Sequence, residues 1–385
     1  MTRKLTLAAL LLGTAMPAAA FTDGELLIWT GANRDKAALE AAVAAFSDEL
    51  GIPVTVEVVD PDLPQKFQQA AATGDGPDIV MWAHDRFGEW ASGGLIAPVQ
   101  PGEAWTGDIL PAAMDAVQFD GKTWGYPVSV EAVHLIYNTD LVAEPPAAFE
   151  DIAGAEIEGQ KILWDYNNTY FTMPLLMAQG GFAFQKVDGV YDGSTTGVNA
   201  PGAIAGAEVL KSLIDDGVMP QGVDYGVMDG AMNKGEVAMV LNGPWAWGAL
   251  KDSGINFAVA PIPTVGGEVA PPFLGVQALA VNAATPNADL AVELIENYLL
   301  TDEGLAAWNA NGELGALADA SAAEAQDDPL ISGMLAVAAD GVPMPSNPEM
   351  GAFWAAMGPA LTNITTGAQA PEEALNDAAT RILGE

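Results

Sequence analysis

The sequence predicts an α/β chain folded as two lobes, and three observations predict it. The chain has 385 residues, half of them hydrophobic, enough for two cores rather than one. A β-α-β order opens it after residue 24, and such units build mainly parallel sheets covered by helices. Two later runs, residues 124–131 with Pro127 and the apolar stretch 273–282, read as crossovers that carry the chain between lobes and back.

The elements follow in order. Residues 25–29, ELLIW, read as a strand, and TGANR is the polar turn after it. Leu39, Val43, Phe46 and Leu50 then recur at spacings of four, three and four, the stripe of an amphipathic helix. Gly51 supplies the left-handed residue that ends it. Val54, Val56 and Val58 alternate as in a half-buried strand. Residues 66–72 read as a second helix, and Gly74 to Pro77 turn the chain into a strand over 78–82. Beyond the first crossover come a strand over 132–137, a helix over 201–216 with Pro201 at its first position, and a strand over 236–241. Asn287 stands where it can cap a helix carrying Leu290, Leu294 and Tyr298. Residues 343–348 form a loop, and helical sequence around Trp354 closes the chain.

Composition narrows the function. Arg3 and Lys4, the apolar run from Leu5 to Leu12 and Ala18-Ala19-Ala20 read as a secretory signal peptide over residues 1–20. A periplasmic, exported protein is therefore expected, cleaved near Ala20. With no cysteine there is no disulfide, no thiolate zinc site and no lipidated cysteine. Two histidines, His84 and His134, argue against a histidine-rich metal site, and neither a metal nor a cofactor is expected. The formal charge of −38 disfavours nucleic acid and anionic membranes as partners.

The stretch DIVMWAHDRFGEW, residues 78–90, ends a buried strand in Trp82 and then places Asp85 and Arg86 within four residues. Ligands of open α/β sheets bind outside the carboxyl ends of the strands. Asn33 and Arg34 follow the first strand, as Trp82, Asp85 and Arg86 follow the third, so all five gather on one rim. An aromatic face beside charged groups suits a ligand with flat apolar patches and dense hydroxyls. His84, Trp90, Trp124 and Trp247 read as packing residues.

AATGDGPDIVMWAHDRFG at residues 71–88 resembles the signature stretch of maltose- and maltodextrin-binding proteins, the substrate-binding subunits of ABC importers. LIYNTDLVAEPP, YFTMPL, NKGEVAMVLNGPWAW, ENYLLTDEGL and MGAFW are similar to further motifs of that family, in order along nearly the whole chain. The resemblance implies a type II periplasmic-binding-protein fold. Each lobe is then a mainly parallel sheet flanked by helices, with the ligand cleft between lobes. It divides the chain into 21–129 plus 279–319 for the first lobe and 130–277 plus 320–385 for the second.

Carried over position by position, the resemblance implies sugar contacts at Asn33, Arg34, Trp82, Asp85, Arg86, Glu131, Tyr170, Phe171, Trp245, Met344 and Trp354, with Asn168 beside Tyr170. Asn33 stands where the maltodextrin binders have an acid, and Asn168-Thr169, Ala355 and Gly358 also depart from their pattern. The implied partners are maltose, maltodextrin or a related oligosaccharide and the membrane permease of an ABC importer, with the protein a monomer that does no chemistry. The same transport role for trehalose or sucrose is the alternative. A glycoside hydrolase using Asp85 and Glu131, which needs its carboxyls roughly 5–9.5 Å apart, is the remote one.

Overall fold

In a computed structural model, which describes residues 21–384, the chain forms two separate sheets with helices on their faces. Residues 1–20, read above as a signal peptide, lie outside the described residues. The first sheet runs Ala316–Leu317, Tyr126–Ala132, Phe273–Val281, Ile79–Ala83, Leu26–Gly31, Val54–Val59, with Val342–Pro343 beside the third of these. The second runs Phe257–Ala260, His134–Asn138, Val237–Asn242, Gln160–Leu163.

The two-lobe α/β class holds, but each sheet is mixed rather than mainly parallel. Leu26–Gly31 is parallel to both Val54–Val59 and Ile79–Ala83, as the opening β-α-β unit requires. Phe273–Val281 runs antiparallel to Ile79–Ala83 and to Tyr126–Ala132. The cause is topological: one crossing strand leaves the first lobe and the other returns to it, so their directions oppose. Tyr126–Ala132 passes through Val133 straight into His134–Asn138 of the second sheet.

Local sequence explains most elements. Asp35 caps the helix Lys36–Leu50 by accepting from the Ala38 N–H at 3.0 Å, and Gly51 ends it at φ 70°. Leu39, Val43 and Phe46 are buried on its sheet side, but Leu50 is 44% exposed because the stripe runs past the end of the sheet it covers. Of the alternating valines only Val56 is buried, since Val54–Val59 is an edge strand. Asn287 starts the helix Ala288–Leu294 without capping it. Its side-chain amide instead donates to the Thr22 and Glu25 carbonyls and to Asp78, so long-range bonds outcompete the local cap.

The helices Lys36–Leu50 and Asp302–Trp308 bury their apolar faces on one side of the first sheet, with Leu63–Ala72 and Phe87–Ser92 on the other. A larger core joins the second sheet to the helices Pro201–Asp215, Met350–Thr366 and Pro371–Leu383. Trp90 and Trp247 are fully buried and Trp124 nearly so, as packing residues should be.

Candidate functional site

The rim rule places the site. Loops leaving Leu26–Gly31, Val54–Val59 and Ile79–Ala83 all emerge on one edge of the first sheet. In the second sheet, Val237–Asn242 and Gln160–Leu163 are parallel and send Trp245 and residues 167–171 out on their own shared edge. The crossing strands bring the two edges face to face around a cavity of about 800 Å³, within the usual range for a small-molecule site. The structure brings all twelve residues singled out in the sequence, Asn33, Arg34, Trp82, Asp85, Arg86, Glu131, Asn168, Tyr170, Phe171, Trp245, Met344 and Trp354, to the wall of that one cavity.

Charge is arranged along its floor. Arg34 Nη1 and Nη2 donate to Glu131 Oε1 and Oε2 at 2.5 and 2.9 Å, a two-point pair with both side chains nearly closed to solvent. Burial pulls the Arg34 pKa down, but the charge and hydrogen bonds of Glu131 together with the nearby Glu313 outweigh it, so the pKa is raised and the guanidinium stays protonated. Gln277 Nε2 also donates to Glu131 at 3.1 Å. Asp85 is buried, and burial pushes its pKa up to about 6 against the pull of Arg86. Trp354 Nε1 donates to Asp85 Oδ2 at 2.8 Å, and Arg86 Nε stands 3.6 Å from the same oxygen. The far end of Arg86 is held by Glu89 at 3.1 Å, so Arg86 orients Asp85 as much as it lines the cavity.

The rings are held by other rings. Tyr170 packs at 6.2 Å from Trp245 and edge-on at 5.9 Å from Phe171, and Trp354 lies edge-on to Phe353 at 4.8 Å. The Arg34 guanidinium lies 5.8 Å from the Trp245 ring centre, linking the lobes. Asn168 caps the helix Thr169–Met177 by accepting from the Tyr170 N–H, which fixes where that ring enters the cavity. Phe171 and Met344 are almost fully buried and form wall rather than broad contact surface.

His84 explains how the Trp82 turn is fixed. Its Nδ1 accepts from the Val276 N–H at 3.0 Å, so its Nε2 carries the proton and donates to the Met344 carbonyl at 2.9 Å. Burial pushes its pKa down to about 4. One neutral imidazole thus ties the Trp82 turn to a crossing strand and to the Met344 loop.

Sequence reasoning missed Gln277, Tyr225 and Glu313. Gln277 had a signal: it is the lone polar side chain in the apolar run FLGVQALAV. Glu313 accepts from the Asp35 N–H at 2.6 Å over a separation of 278 residues, which no local pattern reveals.

Two α/β lobes joined by opposed crossing strands, with a cleft of rings and charges between them, define a solute-binding architecture. The chain belongs to the bacterial extracellular solute-binding protein family, whose model matches residues 41–333. It is 30% identical over 362 residues to a maltotriose-binding protein of Pyrococcus abyssi, covering 89% of this chain and 78% of that one. It is 28% identical to a galactooligosaccharide-binding protein of Bacillus subtilis, covering 94% and 89%. It is also 28% identical to a maltooligosaccharide ABC transporter solute-binding lipoprotein of Streptococcus pneumoniae, covering 90% and 85%. Among the described residues no helix is long and apolar enough to cross a membrane.

Proposed function

We propose that this chain captures a maltooligosaccharide or related α-glucoside in the cleft between its lobes and hands it, unaltered, to the permease of an ABC importer. It works outside the cytoplasmic membrane, as an exported monomer. The observation that carries this reading is the pairing of ring faces and ion-paired carboxylates from opposite lobes in one cavity, Trp82 and Asp85 against Tyr170, Trp245 and Trp354. Ring faces suit the apolar sides of a pyranose, and Asp85, Glu131 and Arg34 suit its hydroxyls. A ligand that touches both lobes stabilises their closed arrangement. The names of the Pyrococcus and Streptococcus relatives point to the same class of ligand. Glu131 is engaged by both Arg34 and Gln277, which suits a fixed hydrogen-bond acceptor better than a general acid or base.

Calorimetric titration with maltose, maltotriose, trehalose, sucrose and a galactooligosaccharide tests it. The expected result is one-to-one binding of a maltooligosaccharide near micromolar, about −8 kcal/mol, that Trp82→Ala removes. The sugar is expected back intact after binding. Tight binding of trehalose, sucrose or the galactooligosaccharide alone would move the specificity and keep the transport role. Silence with every sugar would end the reading.

A further inference from the structure

Divided at the lobe boundaries expected from the sequence, the first lobe carries 24 acidic and 5 basic residues and the second 27 acidic and 6 basic, net charges of −19 and −21. Like charges of this size repel, and the repulsion grows as the lobes approach.

The charges also meet across the seam. Asp35 and Glu313 of the first lobe share the lining of a hollow of about 320 Å³ with Asp229 and Asp252 of the second. Asp35 follows Leu26–Gly31 and Glu313 precedes Ala316–Leu317, both strands of the first sheet. Asp229 lies on the helix Tyr225–Asn233 and Asp252 ends the helix Trp247–Asp252, which pack on the second sheet. Asn311 donates to Asp35 at 2.8 Å and Asn233 to Asp229 at 3.0 Å. These neutral amides place the carboxylates and cancel none of their charge. The neighbouring cations are engaged elsewhere: Arg34 with Glu131, and Lys251 with Asp328 at 3.8 Å.

One contact pulls the other way. Lys186, on the strand Gln185–Val187 of the second lobe, reaches Asp115 on the helix Pro111–Ala116 of the first at 2.7 Å. Both ends are exposed, and a pair of this kind moves an equilibrium by no more than about fivefold. A single such pair against the summed charge of two acidic lobes leaves repulsion dominant at low salt.

We infer that the lobes are held apart by their own charge, chiefly across this seam, and that dissolved salt governs how readily they close on a ligand. The inference rests on the sugar-binding reading above. Salt shortens the reach of a charge from about 30 Å at 0.01 M to about 10 Å at 0.1 M, so it weakens repulsion across the seam. A sugar is uncharged, and its own contacts respond little to salt. Affinity therefore follows closure and tightens as salt is added. Closure governed by the Lys186–Asp115 pair requires the opposite trend.

The test is calorimetric titration of the full protein with maltotriose in sodium chloride from about 0.01 to 0.3 M, with X-ray scattering of the ligand-free protein over the same range. Affinity is expected to rise roughly tenfold and the radius of gyration to fall. Asp229→Asn combined with Asp252→Asn removes two seam charges while keeping side-chain shape. This variant is expected to bind roughly threefold tighter than the unmodified protein at low salt and to gain correspondingly less from added salt. Asp252→Asn alone shifts both readings in the same direction and serves if the double variant folds poorly. Affinity that is constant with salt, or that falls, overturns the repulsion and leaves the sugar-binding reading standing. A folded double variant with the unmodified salt slope overturns the seam in the same way. If maltotriose is silent, the other sugars of the titration above are run at the highest salt, and silence from all of them withdraws both readings.

Discussion

The indole N–H of Trp354 donates to the Asp85 carboxylate at 2.8 Å, and this bond joins the helix Met350–Thr366 of one lobe to the turn after Ile79–Ala83 of the other. Trp354→Phe keeps a ring on the cavity wall and removes only the donor. Loss of one hydrogen bond to a buried carboxylate costs about 1.5–3 kcal/mol. The ligand-free variant is therefore expected to be less stable by that order in urea unfolding. Its lobes should also part more readily, read as a larger radius of gyration by X-ray scattering. An unchanged radius together with unchanged stability would mean that the bond does not hold the lobes.

Arg34 and Glu131 form the cleft's other tie, and here both partners are buried. Removing one charge of such a pair leaves the other uncompensated, at a cost of about 3–5 kcal/mol. Glu313 also faces Arg34 and offsets part of that cost, so Glu131→Ala is expected at the lower end, about 3 kcal/mol. Arg34→Ala leaves two buried carboxylates without their cation and is expected to cost at least as much. Urea midpoints rank the two, and a smaller loss for Arg34→Ala would contradict the charge argument. Being shielded from solvent, the pair should respond little to added salt.

Stability should depend on pH through opposing groups. Burial raises Asp85 to about 6 and Glu313 to about 7, above their unfolded values. The folded state then binds more protons than the unfolded one between about pH 4 and 6, so these two make stability fall as pH rises. Burial lowers His84 and His134 to about 4, which makes stability rise with pH between about 4 and 6.5. The two pairs oppose, and a shallow profile is expected. Asp85→Asn removes one falling contribution. Relative to the unmodified protein it should gain roughly 2 kcal/mol between pH 4.5 and 6.5, measured by urea unfolding at both values. An identical difference at the two pH values would show that Asp85 ionises normally.

Much of this was legible in the sequence because it is local. The Leu39–Val43–Phe46 face, the Gly51 stop and the Trp82-Asp85-Arg86 turn depend on residues close in the chain. The resemblance to a known family extended the site to residues such as Trp245 and Trp354, which local patterns could not connect. What stayed hidden depends on register and on long-range partners. Gln277 reaches Glu131 only because Phe273–Val281 pairs Gly275 with Glu131 in one particular alignment. Asn287 looked like a cap and became a strut to Asp78, because the fold brings together two residues 209 positions apart in the chain. The mixed strand directions also escaped, since hydrophobic pattern carries no information about which way a crossing strand runs.

The last prediction concerns the loop that carries Met344. A Cβ at Gly88 would lie 1.9 Å from the Ser346 carbonyl oxygen, which is backbone and cannot swing aside as a side chain can. The loop has little room to retreat. Met344 donates its N–H to the Leu274 carbonyl at 3.1 Å and accepts from His84 Nε2 at 2.9 Å, so it is pinned to a crossing strand and to the Trp82 turn. Gly88→Ala must either break one of these bonds or displace the helix Phe87–Ser92, whose Phe87 and Trp90 are buried. Overpacking of this kind costs about 1–3 kcal/mol. The variant is expected to lose that much in urea unfolding. It should also bind sugar more weakly, because the shift passes through His84 to Trp82. Full affinity with lowered stability would show that the loop moves alone and that the His84 link does not couple it to the cleft.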